Sequence, residues 1–182
     1  MIVCIDVDYQ DASATVALVG FTAWPDEIAT LEIVSRSSTP PAAYEPGRFF
    51  ERELPYALGV LARVTEPLDA VIVDSYVWLG PDRPGLGARL HEAVHAPVIG
   101  VAKSSFRGAA SISLRNAFAL LRAPAEPGLA IEVTRGTSAN PLYVTAAGID
   151  AETAADRIRA MHGPFRIPTL LKRCDALCRG NP

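Results

Sequence analysis

Apolar and polar positions alternate at the start of the chain in three bursts, Ile2–Tyr9, Thr15–Thr22 and Ile28–Ser35, separated by the turn-forming stretches QDASA and AWPDE. The pattern predicts three strands joined in a β-meander. The period then changes: over Phe49–Val64 the residues Phe50, Leu54, Leu58 and Leu61 recur at spacings of four and three, which predicts an amphipathic helix. LDAVIVDSY is β-branched and bounded by turn residues, so it predicts a strand buried on both faces; Gly85–Val94 predicts a helix and PVIGVAK a second buried strand. Strand, helix, strand implies parallel pairing through a right-handed crossover. Further on, the expected elements are a helix over Ser111–Leu121, a hairpin or neighbouring strands from GLAIEVTRG and NPLYVTAAG, and an amphipathic helix over Asp150–Met161 capped by Asp150. HGPFRIP breaks that helix, and a short one closes the chain. The whole reads as an α/β fold with a mixed sheet, and 182 residues suit a single domain spanning positions 1–182.

Composition changes this picture little. Hydrophobic residues make up 49% and charged residues 20% of the chain, with a net charge of -3, which excludes a disordered tail and a strong nonspecific grip on phosphate backbones while leaving room for a local basic groove. The longest apolar runs, such as VALVGFTAW, fall short of the roughly 20 residues of a membrane helix, and MIVCIDVDY reads as a strand and not as a signal peptide. A cytoplasmic protein without membrane attachment is expected. Three cysteines without CxxC spacing predict reduced thiols of no assigned function.

Candidate chemistry lies in acidic residues where packing prefers apolar ones. Asp6 lies inside VCIDVDY, Asp74 ends AVIVD and Glu53 falls in the first turns of the helix after AYEPGRFFERELP. A carboxylate in or at the end of a buried strand costs several kcal/mol unless it is paired or binds a cation. Converging carboxylates suit Mg²⁺, with Mn²⁺ as the alternative, and a metal so held can serve phosphodiester cleavage. The competing arrangement has Asp74 capping a turn, Glu53 paired with Arg52 or Arg48, and Asp6 salt-bridged elsewhere. Spacing alone does not choose between them.

Several short motifs in order resemble the endonuclease V family, which has a ribonuclease H-like fold. They are Ile5-Asp6-Val7, Ala43-Tyr44-Glu45-Pro46-Gly47, Glu51-Arg52-Glu53, Val73-Asp74-Ser75, Leu86-Gly87 with His91, Gly100-Val101-Ala102-Lys103, Pro141-Leu142-Tyr143-Val144-Thr145, and Arg166-Ile167-Pro168 with Asp175. The resemblance implies a ribonuclease H-like mixed β-sheet flanked by helices and a Mg²⁺-dependent endonuclease, a phosphodiester hydrolase of nucleic-acid repair. It implies cutting on the 3′ side of a deaminated base, chiefly inosine, in DNA or RNA. By the same resemblance Asp6, Glu53 and Asp74 bind the metal, Lys103 joins them in catalysis facing phosphate, and Tyr44, Gly47, Phe49, Gly87 and His91 contact the substrate, Tyr44 as a wedge beside the flipped base. The chain departs from the family at Ala43, Arg48, Phe49, Ser75 and Val77, and at Gly80 and Gly148, which fall where the family has histidines. A second reading follows from those departures: a degenerate relative that binds nucleic acid or a protein partner without cleaving.

Overall fold

The computed structural model describes residues 1–10, 13–37, 50–80, 83–106, 111–112 and 129–180. The meander is present as β1 (Ile2–Gln10), β2 (Ser13–Phe21) and β3 (Leu31–Ser37), paired antiparallel with Ile5 opposite Leu18 and Leu18 opposite Ile33. The third strand begins later than expected because Thr22, Ala23 and Asp26 close a turn: the Asp26 carboxylate accepts the Ala23 N–H at 2.8 Å and the Thr22 N–H at 3.1 Å.

Helix α1 (Phe50–Leu61) follows, then β4 (Ala70–Val73), a short antiparallel ribbon of β5 (Trp78–Gly80) and β6 (Arg83–Pro84), α2 (Leu86–Val94) and β7 (Val98–Ala102). The α1 pattern was expected to run to Val64; instead its tail tightens, Arg63 N–H donating to Val60 O and Val64 N–H to Leu61 O. The chain continues through β8 (Ser111–Ile112), β9 (Ala130–Val133), β10 (Leu142–Ala147), α3 (Ala151–Ala160) and α4 (Thr169–Cys178). The helix expected to begin at Ser111 is corrected at its first two residues, which pair parallel with Ala130 and Ile131 at the sheet edge. Its remainder lies outside the described residues.

Among the described residues the main sheet has eight strands in the order β3-β2-β1-β4-β7-β10-β9-β8. β4 lies parallel to both β1 and β7, as the crossover argument requires, while β10 is antiparallel to β7 and to β9. This is the mixed sheet flanked by helices expected of a ribonuclease H-like fold.

Alternation along β1 and β4 assigns each side chain to a face. Ile2, Cys4, Ala70 and Ile72 pack with residues of α3 and α4, including Ala155, Ile158, Leu170 and Cys174. Val3, Ile5, Val71 and Val73 pack on the opposite face with Ala57 and Val60 of α1 and Leu90 of α2. Each buried aliphatic side chain contributes roughly 1.5–3 kcal/mol, so both strands are anchored from both sides. The first polar residues beyond these runs are Asp6 and Asp74, one step past the last paired positions Ile5 and Val73. Parity turns both toward the α4 face.

Asp150 caps α3 as expected, accepting the Thr153 N–H at 2.8 Å. All three cysteines are free and buried.

Candidate active site

The carboxylate oxygens of Asp6, Asp74 and Asp175 lie within 4.8 Å of one another where the parallel pairing of β1 with β4 ends, Asp6 in the middle of β1 and Asp74 just past the carboxyl end of β4. Asp6 and Asp74 arrive on adjacent parallel strands, and Asp175 descends from the second turn of α4, a helix fixed by Leu170, Leu171 and Cys174 in the core. The expected trio was Asp6, Glu53 and Asp74; the third place within that distance belongs to Asp175. Glu53 reaches the same edge from α1 on the other face of the sheet, and its burial to 8% exposure leaves it close enough to sense the charges of Asp6 and Asp74. Asp175 stood in the quoted Arg166-Ile167-Pro168 motif. Its signal was weak because it lies seven residues beyond the proline on an ordinary amphipathic helix.

Electrostatics mark the cluster as costly in its bare form. Burial, with the charges of Asp74 and Asp175 added, pushes the Asp6 carboxyl up to about 7, against the pull of Lys103 and of the Val7 N–H that Asp6 Oδ1 accepts at 2.9 Å. Burial and the charges of Asp6 and Asp74 push Glu53 up to about 8, with Arg52 acting the other way. Lys103 supplies the nearest counter-charge, its Nζ 2.5 Å from Asp74 Oδ2 and 3.5 Å from Asp175 Oδ1. Burial works against the ammonium, but the hydrogen bond and charge of Asp74, then Asp175 and Asp6, raise its pKa. Arg179 Nη2 braces Asp175 Oδ1 at 3.1 Å.

Beneath the carboxylates Asp6, Asp74, Val101, Lys103, Ile167, Leu171 and Cys174 enclose a cavity of about 20 Å³, room for one water-sized species. A donor set made of carboxylate oxygens, too crowded to ionise fully without a cation, fits a hard divalent ion.

The other expected residues fall into two groups. Tyr44, Gly47 and Phe49 lie outside the described residues, as do Ala43 and Arg48. Gly87 sits in the first turn of α2, where an added Cβ would meet Val77 Cγ2 at 2.6 Å and Val77 Cα at 3.0 Å, so close packing alone requires glycine there. His91 is not brought to the carboxylates. Its Nδ1 lies 2.8 Å from Ala96 O, and its ring packs against Gly148 at the start of β7, the opposite end from Lys103. The glycine of Gly100-Val101-Ala102-Lys103 also has a structural reason. A Cβ at Gly100 would approach Ser75 O to 2.4 Å and Val77 N to 2.8 Å, so the chain leaving Asp74 lies directly over β7. Val77 N–H there donates to Thr145 Oγ1 at 2.9 Å.

A mixed sheet with acidic side chains gathered where two central parallel strands part defines the class of α/β domains whose chemistry is built on carboxylates. Comparison with known proteins gives the family: the Endonuclease V family model matches residues 1–176, a span that includes Asp175, and the chain belongs to the endonuclease V family. The Endonuclease V of Streptomyces coelicolor is 30% identical over 189 aligned positions, covering 96% of this chain and 76% of that protein. Among solved structures, the Endonuclease V from Streptomyces avermitilis superposes with a TM-score of 0.74 at 24% identity, covering 98% of this chain and 79% of that one. The Ciona intestinalis Endonuclease V in complex with a 24mer DNA containing an inosine followed by a ribo-adenosine gives 0.75 at 21% identity, covering 98% and 84%. In the described residues no helix is long and apolar enough to cross a membrane.

Proposed function

We propose that this protein is a metal-dependent endonuclease of the cytoplasm that cuts DNA or RNA at the second phosphodiester bond on the 3′ side of a deaminated base, chiefly inosine. The observation that carries the proposal is the convergence of Asp6, Asp74 and Asp175 within 4.8 Å, with buried Glu53 sensing two of them. Asp6, Asp74 and Asp175 would hold Mg²⁺ or Mn²⁺, with Glu53 on the β1 side of the site. Such an ion, when bound, supplies water activation and neutralises charge on the phosphodiester.

The chain's own residues do the rest. Asp6 and Glu53, whose carboxyls burial and neighbouring carboxylates push up to about 7 and about 8, are the groups whose protons a bound cation would displace. The Lys103 ammonium, 43% exposed beside Asp74, offers donors to a phosphate oxygen at the rim. Tyr44 and Gly47 take the wedge and pocket-border roles on the strength of the Ala43–Gly47 motif, Phe49 follows that loop as a substrate contact, and Gly87 is carried only by the Leu86-Gly87 match. The partner is nucleic acid, in keeping with the inosine-containing DNA held by the Ciona intestinalis relative.

The non-cleaving alternative draws on the missing histidines. Gly148, one of the two positions, sits beside Pro97 just before β7, roughly 17 Å along the strand from Ala102 by strand rise, so its change removes no group from the acidic edge. That supports the cleaving reading. Single-stranded DNA and RNA carrying one inosine, incubated with Mg²⁺ or Mn²⁺, should be nicked at the second bond 3′ to it. Intact strands under both metals would overturn the activity.

A further inference from the structure

Phe165 is 66% exposed, and its backbone is unusually well held for a surface turn. The guanidinium of Arg135, 8% exposed, donates to Met161 O, to Phe165 O at 3.2 Å and to Gly163 O at 3.3 Å, tying down the turn that carries the ring. Gly136, at φ +59°, brings a second segment so close that a Cβ there would meet Pro164 O at 2.3 Å and Phe165 Cα at 3.1 Å. A single exposed ring is ordinary. An exposed ring fixed by a buried cation and a close backbone approach is preorganised for a ligand.

The surroundings indicate which ligand. Lys172 Nζ sits 5.7 Å from the Phe165 ring centroid and has no carboxylate partner among the described residues. Arg166 Nη2 donates to Lys103 O and, at 2.7 Å, to Pro141 O, while its buried Nε has no partner among the described residues. Thr137, Ser138, Phe165, Arg166, Ile167 and Lys172 line a cleft of about 360 Å³. Ile167 also lines the cavity among the carboxylates and Arg166 holds Lys103 O, so the cleft adjoins the acidic centre.

We infer that this cleft seats one nucleotide flanking the scissile phosphate, with its base stacked on Phe165 and its phosphate held by Lys172 and Arg166. An aromatic face takes any base, and the two cations take the phosphate, so the subsite grips the strand without reading its sequence. The inference rests on the endonuclease reading for the identity of the ligand. A place next to the carboxylates, joined to them through Arg166 and Lys103, favours nucleic acid over a phosphorylated peptide.

The test uses fluorescence anisotropy with labelled single-stranded DNA, with and without one inosine, in the absence of divalent metal so that the strand stays whole. Phe165→Ala should weaken binding of both strands about tenfold, while Phe165→Tyr stays within about twofold of wild type. Lys172→Ala should lower the slope of log affinity against log salt by about 0.7, the increment for one single-strand phosphate contact. An abasic site moved along the strand should, at one position only, weaken wild-type binding by the Phe165→Ala factor and leave Phe165→Ala itself unchanged. Binding of Phe165→Ala at wild-type strength, equal abasic losses for both proteins at every position, or no wild-type binding of either strand would overturn the subsite, as would tighter binding of a phosphopeptide than of DNA. Failure of the two readings separates cleanly. Phe165-dependent binding without metal-supported cleavage removes the nuclease and keeps the cleft; cleavage without a Phe165 effect removes only the cleft.

Discussion

Two buried charged groups in this protein are treated in opposite ways. Arg135 has every nearby acceptor arranged around it: three carbonyls of one turn receive its guanidinium, and burial lowers its pKa without depriving it of partners. Asp6, half-buried, and Glu53, buried, lie beside other carboxylates, and their pKa values rise to about 7 and about 8. The first arrangement completes itself within the fold, while the second keeps more negative charge than Lys103 and Arg179 offset. Perturbed groups left in the second condition mark sites of chemistry, and those in the first mark structure.

The sharpest way to break this contrast is to change one charge on each side. Asp74→Asn should reduce cleavage of an inosine-containing strand by about a hundredfold to a thousandfold, the scale of losing a charge-stabilising group in the transition state. It should leave the metal-free melting temperature unchanged or higher. A cleavage rate within tenfold of wild type would remove Asp74 from the machinery. Arg135→Met should do the reverse to stability, costing about 3 kcal/mol by stranding the carbonyls of Met161, Gly163 and Phe165, as read from urea unfolding. An unfolding midpoint equal to wild type would show that the turn holds itself.

The acidic side also predicts a pH dependence. Because the folded-state pKa values of Asp6 and Glu53 lie above ordinary carboxylate values, the folded protein binds these protons more tightly than the unfolded chain does. Stability from this source is fully present below about pH 4 and is lost as pH climbs through about 7 and about 8. The metal-free melting temperature should therefore fall by several degrees between pH 6 and about pH 8.5, and Mg²⁺ should restore it most at the higher pH while releasing protons measurable by calorimetry in two buffers. A metal-free profile that rises across that window would contradict the assignment.

The smallest effect comes from a carboxylate of the satisfied kind. Asp150, capping α3, has its pKa lowered by the Thr153 hydrogen bonds, so its contribution is present above ordinary carboxylate pH and fades on acidification. Asp150→Ala should cost about 1 kcal/mol and leave cleavage unchanged. A cleavage defect without a stability loss would reverse that expectation.

Much of the frame was legible because it follows from short-range pattern. Alternation in β1 and β2, the β-branched run of β4 and the cap at Asp150 each report a local environment, and parallel pairing of β4 with β7 followed from the helix between them. Asp6 and Asp74 stood out because a polar residue interrupts a buried strand. Asp175 did not, since a helix surface tolerates aspartate at any exposed position and only the tertiary approach of α4 to β1 gives it meaning. Arg135 was hidden for the same reason: nothing local says that its partners are the carbonyls of a turn 26 residues away. Ser111 and Ile112 were read as helix because their pairing with β9 is an edge contact decided elsewhere in the chain.

The positions of Asp6 and Asp74 one step beyond the Ile5 and Val73 register have a mechanical side. Neighbouring strands are held about 4.8 Å apart by their own backbone, so these two proposed ligands form the fixed jaw of a vice whose opening is set by the main chain. Asp175 and Glu53 arrive on α4 and α1, whose side-chain packing on the two faces of the sheet sets where they stand, and they are the adjustable jaws. Divergence in ion preference or strand geometry within this chain's lineage would then be written in the packing of α4 and α1, far from any residue that touches the ion.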